Sequence, residues 1–302
     1  MTPADAAGAR TVPLLAIVLM ILGVSIGAVN GAMMKAVAAE LPEVVAGWGR
    51  YAVYLGIMLI IVLWRREHGV LRPAMPGLQV LRGALQCFAT WSFIVAVGGM
   101  PVADAIAVIY VYPFVLTALA PFVLAERVPL VAWIGVVGGF AGVMLVVRPD
   151  FGHVDSHAVW AMLCGVAIAG QLMINRRLAG TSSAIATSTV SACVGTVILG
   201  VLLPFHWQWP SGYALALVVA LGATSALNQW MVLVAFAKAP ASVLAPFGYA
   251  EIPAGALVGF LWFGDLPDTL VWLGITVIIL SGVIVARASY LPARTAPRAE
   301  PG

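Results

Sequence analysis

The chain has 302 residues, of which 63% are hydrophobic and only 9% are charged, with a mean hydropathy of +1.06 and a formal net charge of +3. Soluble domains carry about 25% charged residues, so this composition excludes a soluble enzyme, a nucleic-acid-binding protein and a disordered protein. We therefore predict a protein solvated by a lipid bilayer. At about 20 apolar residues per crossing plus short connections, the length allows about ten crossings.

Ten apolar runs follow one another along the chain and are joined by short connections. Because lipid offers no hydrogen-bond partners to the backbone, each run is predicted to be a helix. The expected fold is an all-α polytopic membrane protein with ten transmembrane helices. The predicted spans are residues 13–34, 44–64, 79–98, 102–124, 129–147, 157–175, 184–204, 212–236, 241–263 and 269–286. Residues 288–302, rich in Pro, Ala and Arg, are predicted to be a disordered cytoplasmic tail.

The distribution of Lys and Arg predicts the orientation. With ten spans both termini lie on one side, and that side collects 12 of the 15 basic residues. Lys35 and Arg148 fall on the opposite side, and Arg50 lies within the second span. Basic residues accumulate on the cytoplasmic side of membrane proteins. The termini are therefore predicted to be cytoplasmic, in a bacterial inner (cell) membrane.

The chain also matches itself at an offset of 139 residues. The matched pairs include Trp91 with Trp230, Pro101 with Pro240, Tyr110 with Tyr249, Trp133 with Trp272 and Arg148 with Arg287. These residue types are uncommon, which chance matching of apolar runs would not favour. We predict two five-helix repeats, residues 13–149 and 157–287. Since five is odd, the second repeat is inverted, an arrangement typical of alternating-access transporters with a site near the midplane; a duplicated static scaffold is the alternative.

The end of each predicted repeat carries a recognisable motif. The segment from Leu124 to Pro149, LAERVPLVAWIGVVGGFAGVMLVVRP, resembles the end of an EamA domain of the drug/metabolite transporter (DMT) superfamily. The segment from Trp262 to Arg287 resembles the same motif, although Leu266 stands where the first copy has a basic residue. The resemblance covers the chain as two tandem EamA units, similar to the YddG-type amino-acid exporters. It implies export of amino acids, aromatic ones among them, or related small metabolites and drugs from the cytoplasm without ATP.

Glu251 is the candidate carboxylate within a span. It lies about ten residues into the ninth span, near mid-bilayer at about 1.5 Å per residue. An ionised group there costs about 2.5–3.5 kcal/mol on insertion scales. We expect Glu251 to bind a substrate amine or to act as a coupling proton site; a protonated carboxylic acid hydrogen-bonded to a neighbouring helix is the alternative.

The candidate gate and hinge residues are one arginine, one aspartate and three prolines. Arg50 is expected to form a structural or gating ion pair with Glu43 or Asp104 rather than to bind substrate directly, and Lys35 lies at the same outer edge. Proline removes a backbone donor and breaks helical hydrogen bonding. The predicted breaks are Pro113 in the fourth span and Pro246 and Pro253 in the ninth.

Polar amides and aromatic residues in several spans are the remaining candidates for a substrate cavity. The amides are Asn30, Gln86, Gln171, Asn228 and Gln229, and the aromatic walls are Trp91, Tyr110, Trp230 and Tyr249. Some of these amides occupy repeat-related positions, which favours a common cavity. The alternatives are interhelical hydrogen bonds for the amides and core packing for the rings.

The sequence has no HExxH or P-loop motif and no histidine deep in a span, so it predicts no enzyme, no catalytic residue, no metal, no cofactor and no ATP drive. The expected partners are a small-molecule substrate and the lipid bilayer, without nucleic acid. A passive facilitator or channel for small metabolites is the alternative function, and a membrane-embedded lipid-modifying enzyme is less favoured. Monomer and homodimer both remain open, because the small-residue stripe Gly135, Gly138, Gly139 and Gly142 suits either dimerisation or packing within one chain.

Overall fold

The fold is helical throughout the part of the chain that the computed structural model describes, which is residues 14–66, 74–123, 130–147, 155–178, 181–238, 244 and 247–290. The helices are α1 (Leu14–Ala38), α2 (Glu43–Arg65), α3 (Pro76–Gly99), α4 (Val102–Ile109), α5 (Tyr112–Val123), α6 (Leu130–Val147), α7 (Ser156–Leu178), α8 (Ala184–His206), α9 (Gly212–Lys238), α10 (Glu251–Phe263) and α11 (Thr269–Tyr290). In the described ranges, eight helical segments are long and apolar enough to cross a membrane, with α4 and α5 counted together. Two shorter apolar helices follow, in α10 and α11.

The outer surface of the bundle is strongly apolar. Leu63, Phe122 and Leu261 are 76%, 81% and 72% exposed, and many other large hydrophobic side chains face outward with them. Soluble proteins rarely expose contiguous apolar patches of this kind. Together with the long apolar helices, this surface makes the chain a multi-pass membrane protein.

The fourth predicted span is interrupted at its centre. α4 ends at Ile109 and α5 begins at Tyr112, with Pro113 in the first turn of α5. Proline fits there because the first turn of a helix leaves its N–H groups without intrahelical partners. The interruption predicted from Pro113 is therefore present, although it falls just before the proline.

The ninth predicted span, like the fourth, contains a turn followed by a helix with proline in its first turn. A turn at residues 249–250 precedes α10, which begins at Glu251 and holds Pro253 in its first turn. Pro246, the other predicted break in this span, lies outside the described residues. Glu251 is thus the first residue of a helix rather than a mid-helix residue.

One sequence-based expectation needs correction, and one basic residue has an unexpected environment. α11 continues through Tyr290, so residues 288–290 are helical and not part of a disordered tail; residues 291–302 lie outside the described ranges. Arg82 is one of the 12 basic residues that the charge count assigns to the cytoplasmic side, at the start of the predicted third span. α3 already begins at Pro76, so Arg82 lies well within the helix and is only 5% exposed.

The helices pack in a definite set of neighbours. α3 packs along α7 and α8, whereas α9 packs along α1 and α2. α6 packs along α11, and α2 also packs against α8. α1 contacts α10, and α7 contacts both α4 and α5. The main buried cluster runs through the centre of this arrangement and includes Phe114, Tyr110 and Ile252.

Glycine makes the contact between α6 and α11 close. A Cβ atom on Gly142 would lie 3.0 Å from the Gly274 carbonyl oxygen and 2.9 Å from Ile278 Cγ1. A Cβ on Gly138 would meet Ser281 Oγ at 2.6 Å. These two glycines of the small-residue stripe therefore pack within one chain, one of the two roles that the sequence left open.

Contacts between connections place several helix ends on one side of the bundle. In the segment between α8 and α9, Gln208 Nε2 donates to the Glu40 carbonyl oxygen at 3.1 Å, and Ser211 Oγ donates to Glu40 Oε2 at 2.6 Å. Lys35, near the end of α1, pairs with Asp265, which follows α10. The ends of α1, α8 and α10 therefore share one side, which we call the outer end; α3 and α8 begin at the opposite end.

Candidate functional site

A cavity of about 380 Å³ lies between α1, α2, α3, α4, α7, α9 and the start of α10. Its wall combines polar side chains with the rings of Phe93, Tyr110 and Tyr112. The polar lining residues are Asn30, Arg50, Gln86, Thr90, Gln171, Asn228, Gln229 and Glu251. Seven of the ten residues predicted for a substrate cavity line it: Asn30, Gln86, Tyr110, Gln171, Asn228, Gln229 and Glu251. The cavity thus holds a guanidinium and a carboxyl group among neutral amides.

The Glu251 carboxylate, at the start of α10, contacts Tyr110 between α4 and α5 and lies against α1. Tyr110 Oη lies 3.0 Å from Glu251 Oε2 and 2.5 Å from the Gly248 carbonyl oxygen, within hydrogen-bond distance of both acceptors. A Cβ on Gly27 would lie 2.7 Å from Glu251 Oε1 and 3.0 Å from Asn228 Nδ2. α1 therefore needs glycine here to make room for the carboxylate. A negative charge at this position also faces the positive end of the α10 dipole.

Arg50 reaches the cavity from α2 and is held by two hydroxyl groups. Its Nε donates to Ser225 Oγ at 3.0 Å, and its Nη1 donates to Thr90 Oγ1 at 2.7 Å. Thr90 Oγ1 also lies 3.0 Å from Tyr51 Oη, and the guanidinium lies 5.5 Å from the Tyr51 ring centroid. Arg50 was expected to act at a gate, with direct substrate binding less favoured. Its position in the cavity wall makes it a binding candidate as well.

The two tyrosines matched by the internal repeat meet beside the cavity. The rings of Tyr110 and Tyr249 have centroids 5.0 Å apart at an interplanar angle of 37°, and Tyr110 and Tyr112 have centroids 5.4 Å apart. Tyr249 packs behind Tyr110 and does not belong to the cavity lining. It supports the wall rather than forming it.

Trp91 and Trp230 were predicted as aromatic walls but lie elsewhere. Trp91 packs on Trp160, with centroids 4.9 Å apart, and lines a second, mainly apolar cavity of about 310 Å³ between α2, α3 and α8. Trp230 is 52% exposed on the outside of α9. The rotation of each helix about its own axis turns these rings away from the central cavity, and hydropathy does not specify that rotation.

Arg82 is the charged residue that sequence reasoning missed. It donates from Nε to Asn175 Oδ1 and from Nη1 to Ser191 Oγ, and its Nη1 lies 3.4 Å from Gln86 Oε1. The signal that was available is the spacing of four along α3 from Arg82 through Gln86 to Thr90, which places all three on one helical face.

At the outer end, Lys35 and Asp265 form an ion pair. Lys35 Nζ lies 2.6 Å from Asp265 Oδ2 and 4.6 Å from the centroid of the Phe263 ring. The pair joins the end of α1 to the segment after α10, beyond the cavity. Asp104 lies in the first turn of α4; its pairing with Arg50 stays a prediction.

Residues 14–148 match the model of the EamA-like transporter family. The match spans the whole of the first predicted repeat except its outermost residues. A solved crystal structure superposes on the chain with a TM-score of 0.64 at 17% identity, covering 91% of this chain and 97% of that one. That likeness shows a shared fold.

Curated relatives match most of the chain. An S-adenosylmethionine uptake transporter from Rickettsia felis is 26% identical over 83% of this chain and 85% of its own length. A riboflavin transporter from Vibrio cholerae is 26% identical over 88% and 90%, and the pseudopaline exporter CntI from Pseudomonas aeruginosa is 25% identical over 86% and 91%. With the family match, they confirm the resemblance read from the sequence, to the EamA-like transporter family of the DMT superfamily.

Proposed function

We propose that the protein is a secondary transporter that exports amino acids, or closely related small metabolites, from the cytoplasm by alternating access. The observation that carries the proposal is the central cavity, in which Arg50 and Glu251 supply opposite charges among neutral amides. A free amino acid presents a carboxylate and an ammonium group, which a guanidinium and a carboxylate bind through charge-assisted hydrogen bonds. Tyr110, Tyr112 and Phe93 give the same cavity apolar and aromatic surface for a side chain.

The helix packing supports the inverted repeat on which alternating access depends. In the 139-residue alignment, α3 corresponds to α9, α7 to α1 and α8 to α2. The contacts of α3 with α7 and α8 thus correspond to those of α9 with α1 and α2. The contacts of α6 with α11 and of α2 with α8 each join a helix to its own counterpart. A pseudo-two-fold axis in the membrane plane produces this pattern of neighbours.

Helix interruptions at corresponding positions give further support. The break before α5 and the turn before α10 contain Tyr110 and Tyr249, which the repeat aligns. Discontinuous helices in secondary transporters free backbone groups near the midplane and often mark the substrate site. Glu251 lies directly after the second interruption, so the proposed site and the proposed hinge coincide.

The relatives support a small-molecule cargo without deciding the direction. One is described as an uptake transporter and another as an exporter. A carrier that alternates between two conformations moves its substrate down the prevailing gradient in either direction. Export in this proposal rests on the resemblance to amino-acid exporters.

Counterflow in proteoliposomes tests the proposal and separates it from a passive channel. Purified protein is reconstituted into vesicles loaded with one unlabelled amino acid, and uptake of the same labelled amino acid is followed across a panel of amino acids. We expect trapped substrate to accelerate labelled uptake at least severalfold for one or more members of the panel. Uptake that equilibrates at the same rate with and without trapped substrate would indicate a channel instead.

A further inference from the structure

A second buried polar cluster lies beside the cavity, between α3, α7 and α8. We call it the inner seam. Its members are Gln79, Arg82 and Gln86 on α3, Asn175 on α7, and Thr187 and Ser191 on α8. Gln79 Nε2 donates to Thr187 Oγ1 at 3.3 Å, and Arg82 donates to Asn175 and Ser191 across the two helix interfaces. Amide and hydroxyl groups commonly hydrogen-bond between membrane helices, but an arginine within a span is rare and usually functional, so Arg82 calls for a separate reason.

The inner seam continues directly from the cavity. Gln86 belongs to both, because it lines the cavity and lies 3.4 Å from Arg82. On the facing helix, Gln171 lines the cavity and precedes Asn175 by four residues, so both occupy one face of α7. Polar side chains thus run from the cavity towards the end of the bundle where α3 and α8 begin, which the charge distribution predicts to be cytoplasmic.

The polar groups of the inner seam are incompletely satisfied in this conformation. Within the described residues, the Arg82 guanidinium donates hydrogen bonds to amide, hydroxyl and backbone carbonyl oxygens, all of them neutral. Gln79 is fully buried, and within the described residues its Oε1 atom has no hydrogen-bond partner. A buried acceptor without a partner costs about 1–3 kcal/mol. Water admitted between α3 and α8 would donate to Gln79 Oε1, and an anion admitted there would accept from the Arg82 guanidinium.

We propose that the inner seam is the part of the substrate path that is closed in this conformation, between the cavity and the predicted cytoplasmic end. Within it, Arg82 binds a carboxylate or similar anion when the path opens. This inference rests on the proposed transport function. When α8 separates from α3, Ser191 and the Thr187 carbonyl leave Arg82, and the freed part of its planar guanidinium takes the substrate carboxylate in a bidentate contact. The substrate then passes along Gln86 to Arg50 in the cavity, so one arginine attracts the anion near the entrance and the other holds it at the site.

Thiol labelling tests the inner seam without knowledge of the substrate. Thr187→Cys is introduced into full-length protein in which Cys87, Cys164 and Cys193 are replaced by alanine. Two methanethiosulfonate reagents are compared in membrane vesicles, the anionic sulfonatoethyl and the cationic trimethylammonioethyl compound. They react with a hydrated thiolate, so labelling requires that the seam opens. We expect labelling from the predicted cytoplasmic side, and a ratio of anionic to cationic rates that falls about tenfold when Arg82→Gln is added, because a unit charge nearby is removed.

Three controls make each result decisive. Arg82→Lys keeps the positive charge, so it is expected to keep the ratio of anionic to cationic labelling rates. It can be measured even if Arg82→Gln fails to fold. Arg65→Gln removes an exposed cation at the same end of the bundle and should leave the ratio unchanged. Gln79→Cys provides a second labelling position. The inference would be overturned if neither cysteine were labelled from either side of the membrane. It would also be overturned if Arg82→Gln left the ratio of anionic to cationic labelling rates unchanged. Counterflow that fails while labelling proceeds as expected would contradict only the carrier function.

Discussion

At the scale of single residues, the proposed chemistry depends on two charges in the central cavity. Replacing Glu251 with Gln keeps the size and the contact with Tyr110 but removes the negative charge that a substrate amine or a coupling proton requires. We predict that E251Q abolishes counterflow while expression and detergent stability stay at the wild-type level. Asp155→Asn, at an exposed carboxylate before α7, serves as the matched control and should transport normally. Full transport by E251Q would remove Glu251 from the mechanism.

Arg50 is predicted to determine affinity for the carboxylate. Hydrogen bonds to charged groups contribute about 1.5–3 kcal/mol, so R50Q should raise the KM for an amino acid at least tenfold. R50K retains the charge but loses the bidentate geometry and should fall between wild type and R50Q. Initial counterflow rates over a range of amino-acid concentrations measure this. If R50Q lowered the maximal rate with an unchanged KM, Arg50 would act at a gate, as the sequence first indicated.

Part of the site was predictable at this scale and part was not. The cavity amides and Glu251 were found because polar groups in lipid are costly and stand out in apolar runs. The positions of Trp91 and Trp230 were not, because they depend on the rotation of each helix and on which neighbour it faces. Thr90 and Ser225 provide the hydroxyl groups that bind Arg50. Because Thr and Ser hardly change the hydropathy of an apolar run, their contact with Arg50 emerged only from the fold.

At the scale of helices, the sequence predicted where helices exist better than how they meet. Most apolar runs predicted the elements within a few residues, since lipid requires the backbone to satisfy its own hydrogen bonds. The exceptions are the fourth span, which is divided into α4 and α5, and the ninth, predicted from residue 241, where α10 begins only at Glu251. The interruption near Pro113 was also predictable from the loss of a backbone donor. The close contact of α6 with α11 was not, because a glycine stripe suits a contact within the chain as well as one between chains.

The contact between α6 and α11 gives a stability prediction. At Gly142, valine would push into the Gly274 carbonyl and Ile278, and overpacking of this kind typically costs about 1–3 kcal/mol. G142V should therefore lower the Tm in detergent by several degrees. Gly56→Ala is the matched control, because a Cβ on Gly56 in α2 meets nothing within 4 Å. Equal Tm values for G142V and the control would contradict the close packing.

At the scale of the whole molecule, the predicted orientation gives a direct test. Gln208→Cys, between α8 and α9, and Arg66→Cys, after α2, lie exposed at opposite ends of the bundle. With the native cysteines replaced, a membrane-impermeant maleimide applied to intact cells should label Gln208→Cys and spare Arg66→Cys. Permeabilised cells should show labelling of both. The reverse pattern in intact cells would place the termini outside and invert the assignment of the inner seam.

The measurement that bears most directly on the molecule as a carrier is trans-acceleration with matched substrate analogues. For an amino acid that is active in counterflow, its methyl ester removes the carboxylate charge and its N-acetyl derivative removes the ammonium charge. Each compound is trapped in turn inside wild-type proteoliposomes, and the initial uptake of the labelled amino acid is measured. We predict strong acceleration by the amino acid and at least tenfold weaker acceleration by either analogue, since Arg50 and Glu251 each lose a partner. Equal rates with all three compounds, or with empty vesicles, would contradict an alternating-access carrier that recognises both charges.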